Sequence, residues 1–100
     1  MFHHIVLSRL KDHAGGKSRA ENAAIMKERF EALVGVVPGL VRCEVRIDIL
    51  HRDDSSDVIL FCDFSDRASY EGYITHPAHQ SIVEFLKDIR TERRLIDWET

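Results

Sequence analysis

One hundred residues, 44% of them hydrophobic and 31% charged, make one ordinary folded domain over positions 1–100 and leave no room for a second core. The formal charge of -3 gives no reason to expect nucleic acid or an anionic membrane surface as a partner. No apolar run nears the roughly 20 residues of a membrane span, and Met1 to Leu7 enters a strand pattern with no secretory leader, so a cytoplasmic location is expected.

Phe2 to Leu10 reads as a first strand, with Phe2, His4, Val6, Ser8 and Leu10 on one face and His3, Ile5, Leu7 and Arg9 on the other. Asp12 to Lys17, which contains Gly15-Gly16, reads as a loop. Ser18 followed by Glu21 is a capping-box pattern: the serine takes an orphan N–H and the glutamate reaches back. The helix that follows carries Ala23, Met26, Phe30, Leu33, Val34 and Val37 at helical spacing, and Val37-Pro38-Gly39 stops it.

Leu40 to Ile49 alternates, with Val41, Cys43, Val45, Ile47 and Ile49 facing one way and Arg42, Glu44, Arg46 and Asp48 the other. His51 to Asp57 is a polar turn suited to a hairpin. Val58 to Phe64 is apolar almost throughout and reads as a central strand buried on both faces. Cys43 and Cys62, each set among strand-type residues, read as reduced core thiols. Ser65 or Asp66 can cap a short helix through Tyr70 and Tyr73, and Pro77 opens another with Ile82, Val83, Phe85, Leu86 and Ile89 as its apolar stripe. Thr91 to Trp98 closes the chain as a strand, with Leu95 opposed to Ile96 and Trp98.

The order β-α-β-β-α-β predicts the α+β, ferredoxin-like arrangement, an antiparallel sheet with both helices on one face. The other face carries a charged row from the second strand and either Ile59 and Phe61 or Leu60 and Cys62 from the central one. A mixed face in so small a chain calls for a partner sheet, and a symmetric homodimer is the simplest source.

Tyr73-Ile74-Thr75-His76-Pro77-Ala78-His79 is where the chemistry concentrates. Pro77 starts a helix at no cost in hydrogen bonds, since its missing N–H would go unpaired there anyway. His76 then stands at the cap and His79 in the first turn, where the helix dipole disfavours a charged imidazole. A neutral imidazole beside a phenol suits proton transfer, metal ligation or plain hydrogen bonding.

His4-Ile5-Val6-Leu7, Val37-Pro38-Gly39, the Tyr73 to His79 segment and Ile96-Asp97-Trp98, in that order and spacing, resemble the stress-responsive dimeric α/β-barrel family, Dabb. The resemblance covers nearly the whole chain and implies two ferredoxin-like protomers that pair their sheets into one barrel. Some plant relatives are polyketide cyclases using a first-strand histidine, a tyrosine before His-Pro-x-His and the last histidine of that motif; here these correspond to His4, Tyr73 and His79. The cyclases carry another histidine early in the third strand, where this chain has Val58.

Two functions follow as alternatives. One is a homodimer that binds a small apolar or aromatic ligand in a cleft between helices and sheet and has no reaction of its own. The other is a cofactor-independent cyclase-like or isomerase-like enzyme with His79 as general base and Tyr73 and His4 in support. A zinc site would need His76, His79 and a third ligand, for which only His4 is at hand, so neither metal nor cofactor is expected. No phosphate loop, Ser-His-Asp pattern or Cys-x-x-Cys is present.

Overall fold

In the first strand, β1 (Phe2–Leu10), the side chains of Phe2, His4, Val6, Ser8 and Leu10 are buried, and the residues between them are half-buried or exposed. That alternation fixes one face of the sheet against the helices. The computed structural model describes all 100 residues. After β1 come β2 (His13–Ala14), β3 (Lys17–Ser18), α1 (Arg19–Glu31), β4 (Leu40–Ile47), β5 (Val58–Phe64), α2 (Arg67–Thr75), α3 (Pro77–Ile89) and β6 (Arg90–Glu99). The four long strands form one antiparallel sheet in the order β4-β5-β1-β6. This is the ferredoxin-like α+β fold expected from the pattern. No helix is long and apolar enough to cross a membrane.

The local signals act where expected. Ser18 and Glu21 form the capping box of α1, with both reciprocal hydrogen bonds present. Asp66 rather than Ser65 caps α2, accepting from the Ser69 N–H at 2.8 Å. His76 ends α2 and begins α3. Its φ of -66° and ψ of 132° are the extended geometry that a following proline demands, and its Nδ1 accepts from the Ala78 N–H at 3.0 Å. Cys43 and Cys62 face each other across β4 and β5, buried and unlinked, with sulfurs 3.7 Å apart.

Three expectations need correction. The Asp12 to Lys17 loop contains the β2-β3 hairpin, whose two-residue turn uses Gly15 and Gly16 at φ 60° and 76°. Helix α1 ends at Glu31, and tighter turns carry the chain on, so Leu33 and Val37 are buried while Val34 is 45% exposed. A β-bulge between Leu40 and Arg42 shifts the parity of β4: Leu40 points inward and Val41 is 54% exposed, opposite to the predicted alternation. Cys43 and Val45 keep their inward places, and Ile49 lies beyond the strand and is exposed.

Strand β5 is central as predicted but covered on one face only. Val58, Leu60, Cys62 and Phe64 are buried, and Ile59 and Phe61 are half-buried. With Ile5, Leu7, Ile96 and Trp98 these two residues form an apolar patch on the face that no helix covers, as the ladder partners Ile5–Phe61, Leu7–Ile59 and Ile5–Ile96 require.

The entry into β4 turns on Gly39, at φ 79°, where a β-carbon would overlap Ser69 Oγ and lie 2.5 Å from Ser69 Cβ. Gly39→Ala should therefore cost about 2–4 kcal/mol in urea unfolding, combining left-handed strain with overpacking. Gly35→Ala, at φ 88° with open space around it, should cost only about 1 kcal/mol.

Candidate functional site

The break at Pro77 turns α3 back across the sheet and brings its first turn against α2. A cavity of about 270 Å³ lies between these helices and the sheet, with His4, Tyr70, Tyr73 and His79 in its wall. Val6, Leu60, Phe30, Val83 and Leu86 supply apolar wall, and Arg90 and Arg93 stand on the β6 side. The volume suits a small ligand of mainly apolar character.

The aromatic rings are in mutual contact. Tyr73, 1% exposed, has its ring centroid 4.0 Å from that of His79 and 6.3 Å from that of His4. Tyr70 lies 5.1 Å from His4 and 6.4 Å from Tyr73. The Tyr73 hydroxyl is buried beside the Cys62 thiol, with no hydrogen-bond partner of good geometry. Burial pushes its pKa far up, so this phenol stays a proton donor at every ordinary pH. The Tyr70 phenol is also raised, first by burial and then by the Asp97 carboxylate.

His79 donates from Nδ1 to the Ile74 carbonyl at 3.3 Å, which leaves Nε2 as the basic atom. Burial holds this imidazole below its ordinary pKa; the Ile74 carbonyl opposes the shift, and the positive fields of His4 and Arg93 add to it. It is therefore neutral near pH 7, the state a general base requires. His4, on the buried face of β1, is held through Nδ1 by the Asp97 carboxylate. An ionised carboxylate can only accept, so the His4 proton sits on Nδ1 and Nε2 is the ring's remaining polar atom.

His4, Tyr73 and His79, the three residues singled out in the sequence, thus meet around one cavity. His76 is occupied as a helix cap. His3 is on the opposite sheet face, bonded to Asp63 at 2.7 Å and Thr100 at 2.9 Å and stacked on Trp98. No three histidine, cysteine or acidic side chains stand in a metal-binding arrangement. Val58 pairs with Ser8 toward one end of the sheet and is not part of the cavity wall. Sequence reasoning missed Asp97 and both arginines. Asp97 follows Ile96 in the closing strand, and only the β1-β6 register, which sets it opposite His4, reveals its role.

Residues 2–100 match the model of the stress-responsive A/B barrel domain, Dabb. The chain belongs to the Dabb family. A dimeric protein of unknown function with ferredoxin-like fold from Bacteroides fragilis is 24% identical, with a TM-score of 0.85 over 99% of this chain and 95% of that one. A dimeric ferredoxin-like protein of unknown function from Thermobifida fusca is 16% identical, with a TM-score of 0.82 over 99% and 90%. The hydroxynitrile lyase of Passiflora edulis is also similar, at 16% identity and a TM-score of 0.76 over 97% and 90%. No curated protein sequence matches significantly. These likenesses carry the Dabb fold and leave the chemistry of the cavity to its own residues.

Two measurements probe the site without a ligand. The unfolded chain takes up a proton at His79 near pH ~6.5, and the folded chain does so only at lower pH. Between these values the unfolded state binds more protons, so the His79 contribution is present above that range and is lost as pH falls through it. Unfolding free energy should drop as pH falls below about 7, and less steeply in His79→Gln. Tyr73→Phe removes a buried hydroxyl that has no partner, and should raise stability by roughly 1 kcal/mol in urea unfolding.

Proposed function

We propose that this Dabb protein is a homodimer that binds a small, largely apolar or aromatic molecule in the cavity between α2, α3 and the sheet. The observation that carries the reading is the cavity itself: about 270 Å³, mostly apolar in its wall, with Tyr73, whose hydroxyl is buried and unpaired, among its lining residues. An orphaned polar atom beside an apolar space is what a ligand carbonyl or hydroxyl would satisfy.

The homodimer rests on the uncovered sheet face. Ile5, Leu7, Ile59, Phe61, Ile96 and Trp98 make it apolar at the centre, and Arg42, Glu44, Arg46 and Asp63 surround the patch with charge. A self-complementary patch of this kind is the pattern of a two-fold interface, and the relatives from B. fragilis and T. fusca are dimeric.

A second reading, proton transfer on the bound molecule, is favoured by the neutral His79 with Nε2 free beside the Tyr73 phenol. In such a step Nε2 removes a proton from carbon next to a carbonyl, the C–H pair moves into the enolate, and the Tyr73 O–H donates to the developing oxyanion. His4, with its Nδ1 proton given to Asp97, offers Nε2 as an acceptor for a hydroxyl of the bound molecule, and the abstracted proton returns to carbon from His79 Nε2. No metal or redox partner is needed for this balance. The similar fold of a hydroxynitrile lyase is a precedent for catalysis on this architecture, not evidence of the same reaction.

Benzoylacetone, a small aryl diketone with an acidic C–H, separates the two readings. Binding should appear as a rise in melting temperature that His79→Gln leaves in place, since the apolar wall is unchanged. Exchange of its carbon-bound protons for deuterium, followed by NMR, should be accelerated by the wild type and fall by roughly 100-fold in His79→Gln. Binding without accelerated exchange would leave the binding reading and remove the enzyme reading; no binding would remove both. Light scattering at micromolar concentration should give the dimer mass, and Phe61→Asp should return the monomer. A monomeric wild type would overturn the dimer.

A further inference from the structure

Eight of the ten arginines have an acidic, carbonyl or aromatic partner within the chain: Arg9, Arg19, Arg29, Arg42, Arg46, Arg52, Arg67 and Arg94. Arg90 and Arg93 have none, and both line the cavity that holds His4, Tyr73 and His79. Arg90 is half-buried, where an unpaired guanidinium loses hydration without gaining a counter-charge. The Arg93 charge weakens the protonation of Arg90, His79 and Tyr70, which puts it within electrostatic reach of all three.

We infer that the ligand of this cavity carries a carboxylate, which Arg90 and Arg93 receive, on an apolar or aryl body that extends toward His4, Tyr73 and His79. The inference rests on the binding reading above and names the class of molecule bound. Two geometric points support it. The cavity side of β6 carries Arg93, Leu95 and Asp97 in alternate positions, facing the rungs of Ser8, Val6 and His4. At about 3.3 Å per residue, the Arg93 and Asp97 rungs lie ~13 Å apart, with Leu95 between them.

The cleft is therefore polarised along its length. Its cationic end has no counter-charge, its middle is apolar, and its far end holds the proton-transfer groups. Asp97 is already taken by His4, so it does not neutralise the arginines. A planar fork of N–H donors matches a carboxylate in charge and shape. A phosphate is the poorer match, because no glycine-rich loop is present to supply the backbone N–H groups such a group takes.

The test is isothermal titration of the whole protein with phenylbutyrate, its neutral amide and phenylbutyl phosphate at low ionic strength. Phenylbutyrate should bind roughly tenfold more tightly than the amide, a preference that added salt reduces. Arg93→Gln and Arg90→Gln should each bring the acid down toward the amide, and the double variant should abolish the preference, read as the acid-to-amide ratio within each variant. Amide binding serves as the control that the variants are folded and the cavity intact. Equal affinity of acid and amide for the wild type would overturn the carboxylate and leave the binding reading standing. A preference that survives in the double variant, or a phosphate bound more tightly than the acid, would overturn the assignment to these arginines. Failure of both acid and amide to bind would overturn the binding reading and this inference together.

Discussion

The Tyr73 ring is packed between Phe64 of β5, at 5.1 Å between centroids, and His79 of α3, at 4.0 Å, with His4 of β1 at 6.3 Å. Strand, helix and the turn between helices are thereby referred to one buried side chain. A tyrosine in such a place ordinarily hydrogen-bonds its hydroxyl, because leaving it bare costs about 1–3 kcal/mol. Here the ring is used for packing and the hydroxyl stays unpaired. The apolar contacts of a fully buried aromatic outweigh that penalty. The site is thus stabilised by its rings and carries its reactive polar atoms as a tolerated cost.

The same environment determines what those atoms can do. Low polarizability around Tyr73 and His79 disfavours their charged forms, so the phenol remains a donor and the imidazole a base. The Ile74 carbonyl takes the Nδ1 proton of His79, and the Asp97 carboxylate takes that of His4. Each imidazole therefore has its tautomer set by a fixed neighbouring acceptor. A bland structural role for His79, bonding backbone at the helix break, and a chemical role at Nε2 turn out to be one arrangement rather than competing ones.

What was legible in the chain depended on how far apart the interacting residues lie. Ser18 with Glu21, Asp66 with Ser69, and His76 with Pro77 act within a few residues, and each could be read directly. The inward row of β1 was equally plain, since alternation is a local property. The parity of β4 was not: the bulge at Leu40 and Arg42 is decided by pairing with β5, and one extra residue reverses which side chain faces the core. His4, Tyr73 and His79 could be grouped through the family resemblance, but Asp97 stands 93 residues from His4 and only the register joins them. Arg90 and Arg93 belong to no motif that would mark them in the sequence. Their distinction is the lack of a partner, a property that no single-residue pattern in sequence expresses.

Strand β6 bears on both faces of the molecule, and it lies at one edge of the sheet. It pairs with β1 on one side only, and all its residues after Arg90 are exposed in the single chain. Arg93, Leu95 and Asp97 lie on the helix side of the sheet, with Arg93 in the cavity wall, while Ile96 and Trp98 face the open side. A slip of one residue would exchange the two sets, withdrawing Asp97 from His4 and presenting Ile96 and Trp98 to the cavity. The devices against that slip lie on both faces: the His4–Asp97 contact on one, and the His3–Trp98 stack with the His3–Thr100 bond on the other. The bond from the Thr100 N–H to the Met1 carbonyl closes the far end. In the proposed homodimer, cover over Ile96 and Trp98 would hold the same register from the open side. Dimerisation through that face would then be linked to the cavity through a single strand.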